Sequence, residues 1–489
     1  MKKNFSLLLT FTLLLAWAGV GSLRAENIGV PSECEDVMLQ GFYWDSYKTQ
    51  TDTDSKYGRT KWIDLLKDTV SLTENFDLIW FPPSARSTGG VGYYHTCLSD
   101  QGNSTSTPWG SKEKLLELID ALHRGGTKVI ADVVINHRGS VDGWCGFAED
   151  KFGEGYGSFQ LTSEHICKGD EAFTNKDSNC YGSSERGAAD TGTNDGGARD
   201  LDHTNEYVQN WAMTYERWLM EKMRYDGFRY DMTLGYHGRY LSMYNQSSQP
   251  YLSVSELWEG IDRQKQHLVE AEYNTMIFDF QQKYVLHNAI VKGNYSLLKK
   301  NSNSFRGQGL ERYAVTFVDN HDTFERDGYG NNQFGGQYCD LSKATIKAYV
   351  LQAYAYILSM PGVPCVFYPH WSRYKDEIQT MIAIRKQAGI HSESQVLEEE
   401  SGPYAYSGTI QGHHRKLIVR VGKNRDMTIP DGYWKCIDGD YYTMYLEVGE
   451  GMEEVESQES KVESKFIKNG QLCIRVGEHV YDARGIMVE

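Results

Sequence analysis

Residues 111–137, SKEKLLELIDALHRGGTKVIADVVINH, run an amphipathic helical pattern straight into an apolar strand pattern. Ser111 stands where an N-cap belongs, Glu113 and Lys114 fall in the first turn, and Gly125 and Gly126 end the helix before KVIADVVIN (128–136) begins. The same alternation extends in both directions from Val37 to Ala388, with further strand candidates at VMLQGFYW (37–44), FDLIWFPP (76–83), YDGFRYDM (225–232), PYLSVSELW (250–258), NTMIFDFQ (274–281), RYAVTFVDNHD (312–322) and PGVPCVFYPH (361–370). Eight strands, each followed by a helix, predict an α/β fold: a closed (β/α)8 TIM barrel in preference to a doubly wound sheet. Every connection in this scheme is short except residues 138–204, which are rich in Gly, Asp, Asn and Ser and too long for a plain loop, so they predict a small inserted domain after strand 3. Beyond Gly389 the pattern turns to short alternating runs, YAYSGTI (404–410) and KLIVRVG (416–422), which predict a C-terminal antiparallel β domain over 390–489. The acidic, Ser-rich stretch 447–464 reads as a solvated loop within it. The barrel then comprises 26–137 and 205–389.

Residues 1–25 carry Lys2 and Lys3, an apolar run from Leu7 to Val20 and small residues near Ala25, the order of a secretory signal peptide; the run is too short to span a bilayer. The expectation is a secreted or periplasmic protein with no membrane span. The formal charge of −16 repels phosphate backbones, so nucleic acid is not an expected partner. Aromatic residues make up 13% of the chain, with 33 Tyr, and such rings stack well on sugar faces. Nine cysteines leave at least one unpaired within the chain; Cys145, Cys167 and Cys180 crowd into the insert, where a Cys167–Cys180 bridge fits the spacing.

Catalytic groups of such barrels sit at the C-terminal ends of the strands. There, strand 3 ends in Asn136 and His137, strand 4 carries Arg229 and Asp231, strand 5 ends in Glu256, and strand 7 ends in Asp319, Asn320, His321 and Asp322. Any one of these could be a loop charge or a helix cap. Three strands aiming carboxylates at one mouth, where unpaired charge is costly, point to chemistry. Cleaving a glycosidic bond takes one carboxylic acid to protonate the leaving oxygen and a second carboxylate at the anomeric carbon, and this cluster holds both and a third. Arg229, two residues before Asp231, shares its face of the strand and favours its ionised form.

The regions DVVINH (132–137), GFRYDM (227–232), SELW (255–258) and FVDNHD (317–322) resemble, in order, the four regions that define the α-amylase family of glycoside hydrolases, in its plant-type and bacterial secreted members. The likeness continues through QGFYWDS (40–46), IWFPPSARS (79–87), GYYHTCLSD (92–100) and IRKQAGI (384–390). It implies a monomeric enzyme that cleaves internal α-1,4 bonds of an α-glucan with retention: Asp231 as nucleophile, Glu256 as general acid and base, and Asp322 holding sugar hydroxyls. It further implies that His137 and His321 bond the sugar, that Arg229 orients the nucleophile, and that Tyr93 forms a platform under the ring. DTGTNDGGARDLDH (190–203) resembles the family's calcium loop, which implies Ca2+ held by Asn136, Asp190 and Asp200 with the backbone oxygens of Ala198 and Gly235, in a structural role. Two positions depart from the pattern: Leu234 stands where Lys is usual, and Arg199 where Pro is usual. An α-glucanotransferase would use the same carboxylates, and an inactive glucan-binding protein would be expected to have lost one.

Overall fold

The computed structural model describes residues 27–48, 57–103, 107–170, 180, 186–193, 198–300, 303–324, 341–423 and 430–448, together with strands within 462–482. The leader (1–25) and nearly all of the acidic stretch lie outside the described residues.

The eight expected strands form: β1 Met38–Gln40, β2 Leu78–Trp80, β3 Lys128–Val133, β4 Gly227–Tyr230, β5 Leu252–Ser255, β6 Met276–Phe278, β7 Ala314–Phe317 and β8 Val363–Phe367. They close into one parallel barrel in which sequence neighbours are sheet neighbours and β8 pairs back onto β1. Each is followed by a helix: α1 Thr69–Asn75, α2 Lys112–Arg124, α3 Glu206–Glu221, α4 Gly238–Ser248, α5 Ile261–Glu270, α6 Phe280–Ile290, α7 Ala344–Ser359 and α8 Lys375–Ala388. Helices on the outside and packed side chains within bury the strands on both faces, which is why they read as apolar runs without alternation. Ser111 caps α2 as expected, its hydroxyl accepting from the Lys114 amide.

Two expectations need correction. The insert is not the one long connection: residues 81–111, between β2 and α2, also run long and fold a hairpin of Arg86–Ser87 with His95–Cys97. The bridge in the insert is Cys145–Cys180, with Cα atoms 5.6 Å apart. Cys167 is instead a buried thiol whose amide is tied to the Asp200 carbonyl at 2.8 Å, which holds it beside the returning strand.

The insert is fastened to the barrel at the end of β3. His137–Arg138 pairs antiparallel with Arg199–Asp200. Arg138, fully buried, donates to Asp150 at 2.6 Å, and Asp150 also accepts from Trp211 on α3 at 2.8 Å. A buried ion pair of this kind depends on further hydrogen bonds, and the carbonyls of Thr96 and Ala148 both accept from Nη2 of Arg138. Past α8 the chain forms the antiparallel sheet β9 Gln395–Ser401, β10 Ala405–Gln411, β11 Lys416–Gly422, β12 Tyr433–Gly439 and β13 Tyr442–Glu447, with α7 and α8 packed against it, and a further three-stranded sheet within 462–482.

Candidate active site

The mouth of the barrel is organised by the register of β3, β4 and β5. Arg229 pairs with Asp132 on one side and Val254 on the other, so Asp231 and Glu256, one step past Tyr230 and Ser255, arrive side by side. Arg229 is buried and touches three carboxylates. Its Nη1 donates to Asp132 Oδ1 at 2.9 Å and to Asp231 Oδ1 at 2.8 Å, while Nη2 lies 2.8 Å from Glu256 Oε2. Met232, directly after Asp231, adopts the left-handed region (φ 46°), unfavourable for a side chain with a Cβ, and so turns its amide to donate to Glu256 Oε2 at 3.0 Å.

One cation among several acids leaves a surplus of negative charge out of water, and protons are retained in response. Burial pushes Asp231 up to about 6 against the pull of Arg229, with Asp132 adding to the rise. Asp132 is likewise raised by burial to about 6. Burial raises Glu256 as well, against the pull of Arg229 and helped by the charge of Asp231. Asp322, in the turn after β7, is raised to about 8 by burial and then by the charge of Glu256.

His321 is fixed from both sides. Gln40 Nε2, at the end of β1, meets its Nδ1 at 2.9 Å; Tyr93 Oη meets its Nε2 at 2.7 Å; and Asp322 Oδ2 lies 3.2 Å from Nε2. Since the amide of Gln40 can only donate, Nε2 carries the proton, and the Tyr93 hydroxyl passes its own to Asp132 Oδ2 at 2.9 Å. The rings of Phe42, Trp44, Trp80 and Tyr93 surround the imidazole. His137 is buried nearby, with Nε2 on the Tyr93 carbonyl at 3.0 Å.

The structure thus brings Asp231, Glu256, Asp322, Arg229, Tyr93 and His321 into one cluster, with His137 beside Tyr93. Asp319 turns the other way, into a buried pair with Lys283 at 3.0 Å. Asn320 is a turn-former whose side chain accepts from the amides of Asp322 and Thr323. Asp132, Gln40, Phe42, Trp44 and Trp80 were not among the expected site residues. Asp132 had a signal: a carboxylate in the middle of an apolar strand run needs a buried partner.

A second constellation lies beside the first. One atom each of Cys167, Asp190 and Asp200 falls within 4.8 Å of the others. Asn136 Oδ1 and Asp190 Oδ2 are buried with no hydrogen-bond partner among the described residues. The loop 190–193 seats on the turn after β4, with Thr193 N on the Leu234 carbonyl at 3.0 Å and His237 N on Thr191 Oγ1 at 3.2 Å. Glycine is required on both sides of that seat: a Cβ on Gly235 would lie 1.9 Å from Asn136 Oδ1, and one on Gly192 2.3 Å from the Gly235 carbonyl carbon. Ala198 is fully buried two residues before Asp200. Two carboxylates and an amide oxygen facing inward call for a hard cation, and the residues fit Ca2+. The Arg199 side chain points away, donating to the carbonyls of Gly143 and Trp144 and lying over the Trp144 ring, so it does not crowd this cluster.

The family model described as "Alpha amylase, catalytic domain" matches residues 75–249. The chain is 28% identical over 407 residues to alpha-amylase 3, chloroplastic, of Arabidopsis thaliana, covering 79% of this chain and 41% of that protein's length. It is 34% identical over 139 residues to alpha-amylase type B isozyme of Hordeum vulgare, covering 28% of this chain and 80% of the barley protein. Among solved structures it superposes on the alpha-amylase of Geobacillus thermoleovorans, complexed with acarbose, with a TM-score of 0.58 at 13% identity, covering 85% and 99% of the two chains.

Proposed function

The chain belongs to the α-amylase family and is a glycosidase, and from that premise we propose that it is a secreted, monomeric α-amylase that hydrolyses internal α-1,4 bonds of starch-like glucans with retention of configuration. The observation that carries the reading is the single guanidinium of Arg229, which joins Asp231 through one nitrogen and Glu256 through the other. Asp231, paired with Arg229, attacks the anomeric carbon, while Glu256, raised by burial, gives its proton to the departing glucosyl oxygen. A covalent glycosyl-enzyme forms on Asp231 as the bond to the leaving sugar breaks. Glu256, now ionised, takes a proton from water, whose oxygen displaces Asp231 from the face that the leaving sugar vacated. That both acids bond to one guanidinium favours the short separation of retaining enzymes, about 5–5.5 Å, over the roughly 6.5–9.5 Å of inverting ones.

Asp322, its carboxyl pushed up by burial and by the charge of Glu256, bonds the sugar hydroxyls, and His321 presents its Nε2 proton next to it. Tyr93 forms the floor of this subsite, and His137 exchanges its contact with the Tyr93 carbonyl for a sugar hydroxyl. Asn136, Asp190 and Asp200, with the backbone oxygens of Ala198 and Gly235, hold Ca2+; the ion neutralises the inward-facing carboxylates and pins the insert (138–204) to the barrel (26–137 and 205–389). Leu234 packs with the apolar cluster of Leu257, Leu268 and Ile277, so this position offers no cation to the leaving-side sugars. The leader 1–25 is removed on export.

Asp231→Asn is expected to lower turnover of soluble starch by about four orders of magnitude or more with an unchanged melting curve. Activity within tenfold of the parent would remove Asp231 from the nucleophile's role. In the parent, proton NMR during the first minutes should show the α-anomer of the products; the β-anomer appearing first would mean inversion. Early mid-length oligosaccharides indicate internal hydrolysis, whereas growth of pure maltooligosaccharides into longer chains indicates transfer.

A further inference from the structure

Far from the catalytic residues in sequence, the segment before β1, the end of α8 and the β10–β11 hairpin meet. Glu33, His391 and His413 there bring one carboxylate oxygen and two ring nitrogens within 4.8 Å of one another. Their backbones are held in place by bonds that do not involve these side chains. Ser392 N donates to the Cys34 carbonyl at 2.8 Å, Cys34 N to Ser392 Oγ at 3.0 Å, and His413 N to the Gly389 carbonyl at 2.9 Å. The three groups are therefore presented together before any ligand arrives, which keeps the cost of ordering them small.

The contacts around His413 set its ring between two carboxylates. His413 Nδ1 lies 2.7 Å from Glu35 Oε1, so Nδ1 carries the proton and donates it. Nε2 of the same ring lies 3.7 Å from Glu33 Oε2. His391, nearly buried, stacks on His413 with ring centroids 4.1 Å apart and planes 20° from parallel. Two imidazoles and a carboxylate, with a second carboxylate bonded to the far nitrogen of one ring, make the donor set of Zn2+ and similar borderline metals; Ca2+ prefers oxygen alone. The side chains of Glu33 and His413 are 59% and 39% exposed, leaving room for water to complete the coordination.

We propose that Glu33, His391 and His413 bind a zinc-class divalent cation, with Glu35 orienting His413, and that the ion ties the N-terminal segment and the last barrel helix to the C-terminal sheet. His391 Nδ1 accepts from the Glu393 amide at 3.3 Å, which orients the ring.

The test uses the full chain, stripped with chelator, resaturated with Ca2+ and titrated with Zn2+ in excess Ca2+, with Co2+ as a visible-absorption reporter. One equivalent of zinc is expected, with a saturable rise in melting temperature and a cobalt spectrum typical of nitrogen and oxygen ligands. His391→Ala and His413→Ala should abolish all three, Glu33→Gln should weaken them, and Glu35→Gln should weaken zinc binding by about tenfold or more. Starch hydrolysis by the zinc-free variants should equal that of the zinc-free parent, which also shows that they fold. Zinc uptake unchanged in both histidine variants would overturn the proposal, as would a parent that binds zinc no tighter than about 1 mM. Either result would leave His413 as a link between Glu33 and Glu35 alone.

Discussion

Arg229 is one positive charge set among carboxylates that outnumber it, and the pH profile follows from that imbalance. Burial raises Asp231 and Asp132 to about 6, so the charged nucleophile is lost as pH falls through that value. The acidic limb of kcat/KM, measured on a soluble maltooligosaccharide, is therefore expected near pH 6, belonging to the coupled cluster as a whole. A limb near pH 4 would mean that Arg229 outweighs burial. The acids at the strand ends were legible in the sequence because a buried strand end tolerates charge only with a purpose. The partners that tune them were not. Gln40 and Trp80 look like ordinary residues of apolar strands, and only barrel closure, which sets β1 between β2 and β8, brings Gln40 to His321.

The helix α3 carries Glu216, fully buried, with one oxygen accepting from Ser248 Oγ at 3.1 Å. Burial holds its carboxyl up to about 8, opposed by hydrogen bonds from Tyr230 and Ser248. Below the ordinary carboxyl value near 4.5, both folded and unfolded chains keep this proton and the group has no effect on stability. As pH rises from there toward 8, the unfolded chain ionises freely and the folded one does not, so this group makes the fold progressively less stable, by a few kcal/mol across the window. Glu216→Gln is expected to flatten the fall in melting temperature between pH 5 and 8; a parallel fall in both proteins would show that Glu216 carries no such burden. The eight strands and the cap at Ser111 could be read from the sequence because each is encoded within a few residues. The long 81–111 connection and the Cys145–Cys180 pairing could not, since both depend on where distant segments meet.

Calcium is expected to matter for the molecule as a unit. The insert contacts the barrel through the pairing of His137 with Asp200, the bond from Trp211 on α3 to Asp150 and the seat of loop 190–193 on the turn after β4. At a hundredfold excess over its dissociation constant, a bound ion adds about 3 kcal/mol, so thorough chelation should lower the melting temperature by several degrees and Ca2+ should restore it. A melting curve indifferent to chelation would remove the metal from Asn136, Asp190 and Asp200.

Gly235 rests against Asn136 only four residues after Asp231, on the same short stretch of chain. On gentle warming in the presence of chelator, such an enzyme should fall silent before it melts, because a small slackening of that stretch misaims the attacking oxygen while the surrounding cylinder still stands. Its useful working range would then be set by how firmly one surface segment is anchored, well below the limit that the barrel itself could bear.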